Sequence, residues 1–152
     1  MLPFRVIIIE NLLYITGGIT DNLVNEANAV FANDRFATKL CGAKIESVTE
    51  NEVICSMEIT DDHLNAVGSV MGGAIFTLAD FTFAVASNFH KDITVSVDSH
   101  ISFLGVAKGK RLIAKSKCIK EGRSTCFYEI GIGDELDNKV ALVSVTGFIK
   151  RG

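Results

Sequence analysis

Residues 65–90, NAVGSVMGGAIFTLADFTFAVASNFH, change character part-way along. A small, polar lead with a glycine pair gives way to a run in which Ile75, Phe76, Leu78, Ala79, Phe81, Phe83, Ala84 and Val85 leave almost no polar stripe. A helix apolar nearly all round is expected to be covered on most sides. Asp80 is the exception. Its neighbours at i−4, i−3, i+3 and i+4 are Phe76, Thr77, Phe83 and Ala84, which offer at most one hydroxyl. An ionised carboxylate in such surroundings is costly unless it is paired or used in chemistry. The plainer alternative is a carboxylate that ties the helix to a neighbouring loop.

Outward from this helix the pattern is one of strands. Upstream, Val53, Cys55, Met57 and Ile59 alternate with Ile54, Ser56, Glu58 and Thr60, a half-buried strand that pairs back on residues 43–49 across Glu50 and Asn51. Downstream, strands are expected over 93–104, 111–120, 124–133 and 139–150, with KEGRST and DELDNK as hairpin connections. One long apolar helix among antiparallel strands gives an α+β class in which a curled sheet wraps a single central helix. Before the strands, Leu23, Ala27, Val30 and Phe31 recur at helical spacing after a Thr20 cap, and Phe36 with Leu40 suggests a short second turn ending at Gly42. Glu10 and Asn11 split the apolar first 18 residues into runs too short for a signal peptide or membrane span, so a strand or hairpin is expected there. By the extent of the family resemblance described below, the chain is expected to divide into an N-terminal extension, 1–32, and one domain over 33–152.

At 152 residues the chain suits one core. A formal charge of −3 argues against a general nucleic-acid binder. That charge is uneven: Lys108, Lys110, Arg111, Lys115, Lys117, Lys120 and Arg123 share 16 residues with one acid, Glu121. Such a patch suits a small polyanion, or is a solvated hairpin face. Cys41, Cys55, Cys118 and Cys126 show neither C-x-x-C nor histidine at ligand spacing, and His63, His90 and His100 are scattered. Free, mostly buried thiols in a reducing cytosol are expected, with no metal site.

The glycine pair bears on Asp80. A helix start leaves backbone N–H groups without intrahelical partners. At Gly72 and Gly73 a substrate carbonyl can approach such donors closely, although a glycine pair also permits tight packing with no function. Gly72 and Asp80 are eight residues apart, about 12 Å along a helix. If both serve one carbonyl, they must come from different subunits, which makes an obligate dimer with two composite sites.

With HLNAVGSVMGGAIFTLADFTFAVASN, TVSVDSHISFL and EGRSTCFYEIGI in order, the chain resembles the PaaI-like hotdog-fold acyl-CoA thioesterases over roughly residues 33–150. The resemblance implies a hotdog fold, homodimers pairing into a homotetramer, and thioester hydrolysis at the subunit interface; the thiols, the short apolar runs and the charge lead to the expectation of a cytoplasmic protein with no membrane or nucleic-acid partner. By the same resemblance Asp80 is the general base or nucleophile, the Gly72 N–H polarises the thioester carbonyl, Asn65 holds substrate or water, and Ser96 orients the water. The chemistry needs one carboxylate and one oxyanion donor and no cofactor.

Acyl-CoA is the implied substrate. Lys108 and Arg123 are candidates for its phosphates, and Phe76 and Phe83, with Phe81, for its acyl group beside Gly73 and Met71. The family's common pattern reads His-Gly-Gly where this chain has Met71-Gly72-Gly73, and a proline common after the third strand is replaced within FLGVAKG. Met71 favours a non-catalytic acyl-CoA sensor as the alternative. A hotdog dehydratase would need an opposed His and carboxylate, and His63, the only nearby imidazole, precedes the glycines instead of facing them.

Overall fold

Alternating apolar residues and short polar turns build a six-stranded sheet in this computed structural model, which describes residues 21–151. In chain order the elements are α1 (21–31), a π-helical turn (Phe36–Leu40), β1 (Ala43–Val48), β2 (Val53–Glu58), a 3-10 turn (Asp61–His63), α2 (Gly72–Asn88), β3 (Thr94–Phe103), β4 (Arg111–Glu121), β5 (Thr125–Asp134) and β6 (Lys139–Ile149). All pairings are antiparallel, in the order β1-β2-β4-β5-β6-β3. After β2 the chain therefore crosses through α2 to the far edge, lays down β3, and returns to place β4 beside β2. The expected strands and hairpins stand within a residue or two of their places. The expected strand or hairpin at 1–20 and the Thr20 cap lie outside the described residues.

Helix α2 lies against all six strands. Leu78, Phe83 and Val85 meet Met57, Leu112, Ile130 and Val143 in a core from which water is excluded. Gly147 on β6 makes this possible. A Cβ there would come within 2.6 Å of Cys126 Sγ, 2.8 Å of Thr94 Cγ2 and 2.9 Å of Phe83 Cζ, so a bare backbone is what lets the Phe83 ring reach the sheet. Phe83 also meets Tyr128 edge to face, with centroids 5.4 Å apart.

Three expectations about exposure are corrected. Helix α2 is not covered on nearly all sides, because Gly73 and Asp80 are exposed and Phe76, Thr77 and Ala84 only half-buried. These positions recur at helical spacing and form one open stripe. In α1, Ala27 is buried but Val30 points to solvent, and in the π-helical turn Ala37 is buried while Phe36 and Leu40 are exposed. The small Ala27 and Ala37, not the larger Val30, Phe36 and Leu40, take the buried places, because these segments pack close against the sheet and α2. Of the four thiols, Cys55 and Cys126 are buried, and burial pushes Cys55 up to about 12. No helix among the described residues is long and apolar enough to cross a membrane.

Candidate active site

The lead into α2 is a small hairpin. Its base is made by the Met71 N–H donating to His63 O at 2.8 Å and by a Leu64–Val70 bridge. Its tip is organised by Asn65, whose Oδ1 accepts the N–H groups of Val67 at 3.0 Å and Ser69 at 3.1 Å, while Gly68 takes φ +78° to close the loop. Asn65 thus builds the loop with its oxygen from an exposed position, and its amide nitrogen has no acceptor among the described residues.

Met71 is the N-cap of α2, in extended conformation and without a side-chain cap bond. The first acceptable intrahelical bonds run from Ala74 and Ile75 N–H to Met71 O. The N–H groups of Gly72 and Gly73 have no acceptor among the described residues, as the geometry of a helix start requires. Next to Gly72 is an apolar cavity of about 260 Å³, walled by Ser69, Val70, Ile75, Phe103 and Gly105–Ala107. A Cβ on Gly72 would come within 2.8 Å of Phe103 Cζ, so the ring lies directly against the glycine. Nothing in the sequence spacing singles out Phe103, because it is β3's end in space that brings it there. The Met71 side chain is exposed, with its methyl 3.7 Å from where a Gly73 Cβ would lie.

Asp80 is two turns further on, on the open stripe. Although exposed in the single chain, it loses enough water to the surrounding helix and turn to be pushed above the usual aspartate range, and the like charge of Asp34 adds to the rise. Asp34 follows α1, which reaches α2 through Phe31 packed edge-on against Phe81 at 6.2 Å. No pattern in the sequence marked Asp34. Ser96 is exposed on β3, paired with Gly147; its side chain therefore rises from the helix-facing side, the side on which Thr94 is buried.

Other candidates fall elsewhere. Phe83 is 2% exposed and belongs to the core, as does Phe81, so within one chain only Phe76 of the three is open to a ligand. Lys108 precedes β4 and Arg123 follows it, and ten strand steps between Arg111 and Glu121 separate the two ends by about 33 Å. The basic cluster is a strip along a strand, not a patch. Lys108 is fixed beside the cavity wall through its N–H, which donates to Asp134 Oδ2 at 2.7 Å. A larger cavity, about 390 Å³, opens at the opposite end of α2, between Val85, Phe89, Lys91, Cys118 and Tyr128. It contains neither Gly72 nor Asp80, and its Tyr128 is already engaged by Lys91 at 3.1 Å and by Ala86 O at 3.3 Å.

A curled antiparallel sheet around one long helix is the hotdog architecture, and likeness to known proteins gives its class as thioester-processing. The thioesterase superfamily model matches residues 67–141. Acyl-coenzyme A thioesterase PaaI of Escherichia coli is 36% identical over 118 residues, covering 76% of this chain and 83% of that one. Its solved structure superposes with a TM-score of 0.78 at 26% identity, covering 86% of this chain and 96% of that one. Human acyl-coenzyme A thioesterase 13 is 26% identical over 125 residues, covering 80% and 89%. A Streptococcus mutans structure bound to acetyl CoA superposes at 0.67 with 28% identity, covering 71% and 88%. The chain belongs to the thioesterase superfamily, as a PaaI-like hotdog enzyme.

Proposed function

We propose that this protein hydrolyses acyl-CoA thioesters at two composite sites, each made from the Asp80 of one copy and the Gly72 N–H of another. One observation carries the reading: an unpartnered Gly72 N–H and an Asp80 carboxylate with raised basicity share a helix but stand about 12 Å apart along it, beyond the reach of one carbonyl. The open stripe of α2 and the free edge of β3, with Val95 and Val97 exposed, supply an apolar flank for a second copy. Dimers joined in this way, paired into tetramers in the cytoplasm, complete the proposal.

Asp80 takes a proton from water as the oxygen attacks the thioester carbon. Negative charge gathers on the carbonyl oxygen and is met by the Gly72 N–H, a donor already oriented and worth about 3 kcal/mol of barrier. Collapse breaks the C–S bond, and the CoA thiolate leaves and regains the proton from Asp80. Ser96, on the helix-facing side of β3, orients the water, and the Asn65 amide nitrogen holds water or substrate. Lys108 meets the CoA phosphates beside the cavity of its own chain, whereas Arg123, at the other end of β4, serves the site of another copy. Phe76 on the open stripe lines the acyl group.

The test is thiol release from aliphatic and aromatic acyl-CoAs. Asp80→Asn is expected to lose about 10²–10⁴-fold in kcat while remaining folded. Gly72→Pro tests the donor: proline suits the first helical position, the extended Met71 before it is compatible, and only the N–H is deleted once the exposed Phe103 ring swings aside. It should cost about 10²–10³-fold. Binding of acyl-CoA with no turnover by the wild type would replace hydrolysis with a sensing role, for which Met71 in place of the family's histidine is the motivating feature.

A further inference from the structure

His63 has no part in the reaction proposed above, yet it is only 8% exposed and its Nε2 has no hydrogen-bond partner among the described residues. The other ring nitrogen is engaged, Nδ1 accepting the Thr60 N–H at 3.0 Å. A backbone N–H can only donate, so Nδ1 carries no proton in this arrangement and the neutral ring keeps its proton on Nε2. The backbone of the same residue is engaged twice more: its N–H donates to Thr60 O at 3.0 Å, and its carbonyl accepts the Met71 N–H at 2.8 Å.

These bonds form a continuous rail. The Ile59 N–H donates to Lys110 O at 2.7 Å, fastening the end of β2 to the chain entering β4. Thr60 follows, His63 is locked to Thr60, and Met71 is locked to His63. Gly72 is the next residue. Met71 caps α2 without any side-chain bond to the helix, so its position depends on the backbone bond to His63. The intervening loop, 64–70, is closed mainly on itself through Asn65 and is largely exposed.

We infer that His63 is a positioning residue, which through its Nδ1 acceptor carries the rigidity of the paired β2 and β4 ends to the Gly72 N–H. The inference rests on the proposed thioester hydrolysis. An oxyanion donor works only when it stands about 2.7–3.1 Å from the place where charge develops, and a misplacement of about 1 Å can cost roughly 100-fold. A ring that fixes the residue before Gly72 therefore acts on kcat with little effect on substrate affinity.

Two substitutions separate the ring nitrogens. His63→Asn puts Oδ1 where Nδ1 now lies and keeps the acceptor for Thr60. His63→Gln puts its amide nitrogen near the Nε2 place and leaves the Nδ1 place empty. Thiol release from the best acyl-CoA of the panel is expected to keep its kcat within about twofold in His63→Asn. In His63→Gln kcat should fall about tenfold, equivalent to ~1.4 kcal/mol, with KM within about twofold. Amide hydrogen exchange at Met71 should accelerate in His63→Gln alone. A glutamine variant indistinguishable from wild type, or an impaired asparagine variant beside a normal glutamine one, would overturn the inference. Equal thiol release by wild type and Asp80→Asn would instead sink the hydrolase reading. Exchange at Met71 would still decide the lock: acceleration in the glutamine variant alone supports it, and unchanged exchange removes it.

Discussion

Two acids of the same charge, Asp34 and Asp80, come together where α1 meets α2, and the raised basicity of Asp80 follows from its partial burial and from Asp34. Protonated Asp80 cannot accept a proton from water, so kcat/KM should fall with acid through a limb lying above the ordinary aspartate value of about 3.9. Asp34→Asn removes the like charge and should move that limb to lower pH, as a pH–rate profile would show; an unmoved limb would leave burial as the whole cause. Gly147 acts on stability instead. Alanine there would press on Cys126, Thr94 and Phe83 at once, and overpacking of this kind costs about 1–3 kcal/mol, seen as a lower urea midpoint with an unchanged slope. Asp80 was legible in the sequence as an acid out of place on an apolar helix. Its exposure was not, because hydrophobic periodicity reports which side chains are oily and is silent on how many neighbours arrive to cover them. Phe76 and Phe83 look alike in the sequence, yet one lies on the open stripe and the other in the core.

The β5–β6 turn is an element built around one buried carboxylate. Asp134 accepts the N–H groups of Lys108 and Gly109 on one oxygen and those of Leu136 and Asn138 on the other, with the Asn138 amide reaching both. Burial alone would push the carboxyl up, but these donors outweigh it and hold it well below the usual range. A depressed folded-state value contributes stability above about pH 4, which is lost as pH falls toward and through that depressed value. Asp134→Asn should therefore lower the urea midpoint at pH 7, and the gap from wild type should shrink in acid; a gap independent of pH would assign the loss to shape, not charge. The strands and hairpins were legible because alternation and turn residues are local signals. The basic cluster misled for the same local reason: seven cations close in sequence are drawn out along the length of an extended strand.

For the whole molecule, shared sites make a demand that no single-chain site makes. Asp80→Asn and Gly72→Pro chains, each inactive alone, should regain about a quarter of the wild-type rate when unfolded together and refolded in equal amounts, since random pairing rebuilds one intact site in half of the dimers. No recovery from well-folded mixed dimers would place both groups in one chain's site. The strand order has a different consequence, for the sequence of events as the chain acquires its structure. β4, β5 and β6 are joined by tight turns and can zip locally, whereas β3 must find β6 across the length of two strands and β2 must find β4 across α2 and β3 together. Closing those long loops is the slow, entropically costly step. The three-strand meander is therefore expected to gain amide protection first, and α2, on which both reactive groups stand, to be seated only when the sheet edges close around it.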